Sequence, residues 1–363
     1  MGATSKEQSA KFSSAMAIKR SVFGTFNGKA VEAFTLVNNN GLKARVMGHG
    51  ARLIEMQVPD RDGRLDDVVL GFDDVESYAT SSLAMGGTCG RLVNRVRHGR
   101  FSLDGKVYEL TKNWRGHQLH GGAKGFEQRV WSPQTNPAQN EVAFSYVSGD
   151  GEEGYPGTLQ ARCIYRLGED DSLTITMQSE ADQPTVANLA HHSYWNLAGH
   201  DEGTIEDHLI EVHADHYTPM NGDLLPKGTV EPVAGTAFDL TSPRRLGDCF
   251  AELAQSGMQD GFDGNWCLNG ADGQVKPCAV VSHEASGRKI TLSTSEPGLQ
   301  IYTAGTFPER LKAKKGAVYG KFSGIALETQ IYPDAVNIPT FPSVRLDPGQ
   351  RRVQVMRVEF STL

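Results

Sequence analysis

From about residue 31 onward, apolar side chains recur at every second position, and this period limits the fold more than any other feature of the chain. Leu159, Ala161, Cys163, Tyr165 and Leu167 alternate with Thr158, Gln160, Arg162, Ile164 and Arg166, and Leu173, Ile175 and Met177 alternate with Thr174, Thr176 and Gln178. Successive strand side chains point to opposite faces, so such runs read as half-buried strands. Similar runs cover 141–147, 208–213, 288–293 and 352–360. In the last, the apolar phase changes from Val353 and Val355 to Met356, Val358 and Phe360, which predicts a β-bulge. Asp104-Gly105 between two short alternating runs predicts a tight hairpin. Helical signal is confined to short turns at 74–79 and 246–253. The 40 glycines and 16 prolines fall between strand-like runs as turn residues, without a fixed repeat. The expected class is all-β: a large antiparallel sandwich or barrel whose ligand site draws on residues far apart in sequence.

Neither a linker nor a charge block interrupts the 363 residues, so the expected organisation is a flexible tail over 1–20 and a single domain over 21–363. The tail lacks the apolar run of a secretory signal, and Lys6 stands where a myristoylation motif needs Ser or Thr. A net charge of -7 with interspersed signs argues against nucleic acid or an anionic membrane as partner, and no apolar run approaches a membrane span. A small neutral ligand suits that balance better. Cys89, Cys163, Cys249, Cys267 and Cys278 are widely spaced and form no C-x-x-C, so they are expected to be free thiols in the cytoplasm.

Five polar clusters interrupt the strands. The densest, Asn188 to Gly199, contains His191-His192-Ser193-Tyr194-Trp195-Asn196. If extended, it sends His192, Tyr194 and Asn196 to one face and His191, Ser193 and Trp195 to the other, so only one histidine faces a given cavity. An unperturbed imidazole exchanges a proton near neutrality, which suits it to acid or base work. In Gly90-Arg-Leu-Val-Asn94-Arg95, the guanidinium of Arg95 suits hydroxyls, or equally a structural carboxylate. Leu119-His120-Gly-Gly122 follows His117, but His117-x-x-His120 has no nearby third ligand to make a metal site. Asp263 in Gly261-Phe-Asp-Gly264 and Gln300 in Glu296-Pro-Gly-Leu-Gln-Ile-Tyr302 supply an acceptor and a donor for vicinal hydroxyls. Glu328 in Leu327-Glu-Thr-Gln330 sits beside apolar residues, either as an ion-paired structural group or as a base raised by desolvation.

Taken in order, with the Asp60-Arg-Asp-Gly63 turn, Val69-Leu-Gly-Phe-Asp73, Pro333-Asp334 and Asn337, these clusters resemble the aldose 1-epimerase (galactose mutarotase) family over about 31–360. The resemblance implies a β-supersandwich of antiparallel strands with few short helices and an open sugar cleft. It further implies His192 as general acid on the ring oxygen, Glu328 as general base on the anomeric hydroxyl, and Asn94, Arg95, His120, Asp263 and Gln300 as sugar-binding residues. The chain departs from the family pattern at His191 (usually Asn), Trp195 (usually Phe), Gly264 (commonly His) and Ala304, changes that touch substrate preference rather than the acid-base pair. Interconversion of α and β anomers of a hexose such as galactose or glucose needs one acid and one base, and neither a cofactor nor a metal is implied. The expected partner is an aldose, and the expected state a monomer or weak dimer. Two alternatives remain: a hexose-6-phosphate 1-epimerase, with Arg91, Arg97 and Arg100 as further basic residues, and a non-catalytic sugar-binding module on the same fold.

Overall fold

The computed structural model describes residues 18–363, and three antiparallel sheets make up its frame. The first is a five-stranded meander of Lys19–Phe26, Lys29–Val37, Lys43–Met47, Arg52–Pro59 and Leu65–Asp67. Residues 1–17 of the expected tail lie outside the described residues, while Lys19 and Arg20 already belong to the first strand.

A nine-stranded sheet follows, in the order Ser132–Asn136, Glu141–Ser148, Leu159–Leu167, Ser172–Ala181, Arg351–Thr362, Arg288–Thr294, Lys276–His283, His208–Val212 and Arg244–Arg245. The predicted alternation holds: Leu159, Ala161, Cys163, Tyr165 and Leu167 are buried, as are Leu173, Ile175 and Met177. These side chains share one core with residues from Phe34 to Phe360.

The bulge predicted in the last strand is absent. Arg351–Thr362 pairs in continuous register with both neighbours, because the inward phase is even throughout: Gln354, Met356, Val358 and Phe360 point in, while Val353 is 45% exposed. Gln354 takes an inward place because its amide has backbone to bind. It accepts from Leu189 N at 2.9 Å and donates to Leu189 O at 2.9 Å, satisfying a buried polar side chain.

The Asp104-Gly105 hairpin forms between Arg100–Leu103 and Lys106–Glu109, with φ of 50° and 77° at the two turn residues as a type I′ turn requires. The two short helices also form. Val75–Thr80 is capped by Asp74, whose carboxylate accepts from Ser77 N, and Leu246–Gln255 buries Leu246, Cys249, Phe250 and Leu253. Among the described residues, no helix is long and apolar enough to cross a membrane.

A six-stranded sheet carries the clustered polar residues, in the order Tyr194–Trp195, Ile325–Gln330, Gly298–Tyr302, Asp263–Cys267, His216–Thr218 and Glu231–Pro232. Its register puts Glu328 opposite Gln300 and Gln300 opposite Asn265, with Tyr194, Ala326, Tyr302 and Asp263 forming the row two residues away. Side chains at two-residue spacing share a face, so segments separated by more than a hundred residues converge on one surface.

Candidate active site

That face forms the floor of a cleft of about 710 Å³, within the range of small-molecule sites. Asn94, Arg95, His120, His192, Asp263 and Glu328 all line it. Gln300 does not: it lies beneath, 1% exposed, and donates to Asp263 Oδ1 at 2.6 Å.

Segment 188–199 divides its side chains as the alternation predicts. His192 and Tyr194 line the cleft. On the other side, His191 Nε2 lies 2.6 Å from Ser193 Oγ and its Nδ1 3.2 Å from Tyr165 OH, and Trp195 packs against Phe360 in the core. Asn196 departs from the cleft face by serving the backbone, donating to Gly203 O and Ser323 O.

His192 is held by its own backbone, which donates to Gly87 O at 2.9 Å and accepts from Gly86 N at 2.8 Å. Its Nε2 stands 3.4 Å from Glu328 Oε1, while His192 Nδ1 and Glu328 Oε2 have no protein partner. Both residues are nearly inaccessible, at 3% and 2% exposure, and burial penalises the charged form of each. The His192 imidazole is thereby lowered to about 4 and the Glu328 carboxyl raised to about 8, with Asp263 adding to the rise and Arg95 opposing it.

Asp263 is gripped on both oxygens, by Gln300 on Oδ1 and by Arg95 Nη2 on Oδ2 at 2.8 Å. The Arg95 guanidinium also stacks 4.6 Å over Trp114, which fixes its plane without taking up donors. Asn94, at a φ of 61°, turns the chain so that its Oδ1 accepts from Arg95 N at 2.8 Å. His120 Nδ1 accepts from Asn94 N at 3.3 Å, which assigns the ring proton of a neutral His120 to Nε2. Burial holds that imidazole well below its usual pKa, and it packs edge-on against His192 with centroids 5.1 Å apart.

His120, His192 and Glu328 bring ligand-type atoms within 4.8 Å of one another, as a metal site would. The Asn94 amide opposes that use, since it leaves His120 Nε2 as a donor rather than a lone pair. His117 turns away, its Nδ1 accepting from His98 N at 2.9 Å, so the H-x-x-H spacing does not converge.

The extra arginines of the phosphate reading are engaged elsewhere. Arg91 is buried on the carbonyls of Pro156 and Gly157, and Arg97 binds Asp334 and Pro226 O. Neither they nor Arg100 lines the cleft, whose basic rim is instead Arg115, Lys124 and Arg129. Asp334 accepts from Arg97 N and its own amide donates to Arg95 O, so the Pro333-Asp334 pair tethers the strand that presents Arg95. Trp114 and Glu127 also line the cleft and escaped the sequence reading. Trp114 precedes the His117-x-x-His120 segment as an aromatic in a loop, a signal that was available. Glu127 carried none.

Fold and site together define a class: a β-supersandwich whose open cleft holds an imidazole and a carboxyl in contact, among donors and acceptors suited to hydroxyl groups. The family model described as aldose 1-epimerase matches residues 32–359. The chain belongs to the aldose 1-epimerase family and is an isomerase. It is 42% identical to galactose mutarotase of Rattus norvegicus over 348 residues, covering 95% of this chain and 99% of the relative. It is 30% identical to aldose 1-epimerase of Escherichia coli strain K12, covering 92% and 96%. The solved structure of galactose 1-epimerase from Lactobacillus acidophilus NCFM superposes with a TM-score of 0.83 at 26% identity, covering 95% of this chain and 99% of that one.

Proposed function

We propose that the chain interconverts the α and β anomers of free hexoses such as galactose and glucose, with His192 delivering a proton to the ring oxygen and Glu328 removing one from the C1 hydroxyl. The observation that carries this reading is the 3.4 Å approach of His192 Nε2 to Glu328 Oε1 on the floor of the cleft, each residue keeping a second polar atom free of protein partners. As Glu328 takes the hydroxyl proton and His192 gives up its own, the C1–O5 bond breaks and C1–O1 becomes a carbonyl. After rotation about C1–C2, the two transfers run backward and close the ring on the other face. General acid-base catalysis of this kind contributes about 10²- to 10⁴-fold.

Proton counting links this scheme to the burial effects. A carboxylate with an imidazolium, and a carboxyl with a neutral imidazole, carry the same number of protons. Burial favours the second arrangement in the ligand-free cleft, and it is the arrangement reached once the ring has opened. Neither state requires exchange with solvent. Arg95, Asp263 and His120 orient the hydroxyls, and Asn94 and Gln300 set the direction of the first two, a division supported by the hydrogen bonds among them.

We favour a free aldose over a sugar phosphate since Arg91 and Arg97 are committed to backbone and Asp334, which leaves Arg115 and Lys124 at the cleft rim as the basic groups that the phosphate arm of the test probes. A cytoplasmic location is supported by five free, buried cysteines, and a single domain by a core shared from Phe34 to Phe360. The oligomeric reading is a monomer or weak dimer. Polarimetry of freshly dissolved α-galactose, α-glucose and glucose 6-phosphate tests the assignment. Accelerated mutarotation of the free sugars is expected, with loss of at least a hundredfold in His192→Ala and in Glu328→Ala. Wild-type turnover in either variant removes that residue from the mechanism, and a preference for the phosphate replaces the substrate.

A further inference from the structure

We propose that Arg52 is a positioning residue for His192, tying three backbone segments behind the cleft into one wall. Arg52 opens the strand Arg52–Pro59 and is 1% exposed. Its guanidinium donates to three backbone carbonyls from three separate segments: His49 O through Nε at 3.4 Å, Met85 O through Nη1, and Glu127 O through Nη2 at 2.7 Å. It lies over the Tyr78 ring, 4.7 Å from the centroid. Among the described residues it forms no ion pair; three carbonyl dipoles and the Tyr78 ring compensate its charge, and the nearby Glu127 carboxyl adds a longer-range attraction. A buried cation without a direct ion pair is costly, and it persists where the bonds it makes organise something else.

What it organises leads to His192. Residues next to Met85 and Glu127 line the cleft. Gly86 and Gly87 follow Met85 directly, and these two bond the His192 backbone in both directions. The loop rests on the guanidinium: a Cβ on Gly87 would come within 3.2 Å of Arg52 Nη1 and 2.8 Å of Glu127 Cβ. The path from Arg52 to His192 is therefore a side-chain bond to Met85 O followed by the paired backbone bonds of Gly86 and Gly87. Several ionisable groups surround the imidazole. His191 and Tyr194 belong to its own segment, Cys89 to the strand beside it, and His120, Arg95, Asp263 and Glu328 line the cleft around it. Burial is the main cause that lowers the His192 pKa, and the Arg52 charge adds a smaller contribution in the same direction.

The inference rests on His192 being the proton donor, so its test includes a readout independent of turnover. NMR titration of the His192 ring is compared in wild-type protein, Arg52→Met and Arg52→Lys, alongside mutarotation kinetics. Arg52→Met removes charge and donors. In it, the His192 pKa is expected to rise, and kcat to fall about tenfold with KM within about twofold. Arg52→Lys keeps the charge but gathers its donors on one nitrogen, which cannot span the separated carbonyls that Nε, Nη1 and Nη2 reach, so its His192 pKa stays near wild type while kcat still falls. An unchanged His192 titration in folded Arg52→Met, or wild-type kcat in Arg52→Lys, overturns the inference. Should Arg52→Met not fold, the Arg52→Lys arm alone decides. A shifted titration with unchanged turnover instead counts against His192 as the donor.

Discussion

Gln300 donates to Asp263 Oδ1 at 2.6 Å from a position beneath the cleft, so it acts on a bound sugar only through the carboxylate it holds. Arg95 holds the other oxygen, and together they leave Asp263 a single orientation. A hydrogen bond to a charged group contributes about 1.5–3 kcal/mol, so Gln300→Met is expected to raise KM about tenfold or more while kcat changes less. Steady-state polarimetry of Gln300→Met and Asp263→Asn checks this. An unaltered KM in Gln300→Met means that Arg95 suffices.

The acid-base pair predicts its own pH dependence. The competent free enzyme carries one proton on the pair. It is lost below the His192 pKa of about 4, where both groups are protonated, and above the Glu328 pKa of about 8, where neither is. A plot of kcat/KM against pH should therefore be a broad bell with limbs near those values. A single limb near 6.5 indicates an ordinary, solvated histidine and rejects the desolvated pair.

Trp114 contributes through Arg95 rather than by proton transfer. Removing the ring in Trp114→Ala takes away a contact of about 0.5–2 kcal/mol that fixes the guanidinium plane. The expected result is a severalfold higher KM with a pH profile superimposable on wild type. A displaced limb places Trp114 closer to the proton transfers than this geometry does.

Buried histidines govern acid stability. His49, His191 and His208 are each lowered to about 3, chiefly by burial, against an unfolded value near 6.5. Below pH 6.5 the unfolded chain binds these protons and the folded chain does not, so their contribution is fully present above 6.5 and is lost as pH falls toward 3. Each group contributes a slope of about 1.4 kcal/mol per pH unit, or on the order of 4 kcal/mol per unit for the three. Urea unfolding at pH 7, 6 and 5 measures it. A midpoint that stays level over that range shows that these rings protonate within the fold.

Gln354 gives a purely structural test. From the strand Arg351–Thr362, its amide clasps N and O of Leu189, which lies three residues before His192. Gln354→Met leaves those backbone groups unpaired and is expected to cost about 2–3 kcal/mol. Denaturant midpoints check the loss, and a neutral substitution indicates that water replaces the amide.

Local patterning was sufficient for the strands, because alternation of side chains is a property of each segment alone. It identified the Asp104-Gly105 hairpin, both short helices, and the placing of His191 and His192 on opposite faces, which follows from parity along an extended backbone. It failed at Gln354, where the polar residue read as a break in phase. The hydrogen-bonding partners that let an amide point inward lie 165 positions away.

The amino-acid sequence by itself determined an all-β chain, the order of its polar clusters and the residue types available for acid-base work. Only the tertiary structure decided which of those groups meet. The register of adjacent strands sets Glu328 against Gln300, moves Gln300 behind Asp263, and brings His192 to within 3.4 Å of a carboxyl 136 positions further on (328 − 192). It also turns Arg91 and Arg97 away from the cleft and bonds Arg52 to the carbonyls of Met85 and Glu127. The reason is physical: periodicity records which face a side chain takes, whereas neighbours across strands depend on non-local pairing and on burial, which raises Glu328 and lowers His192 only once the cleft has closed around both.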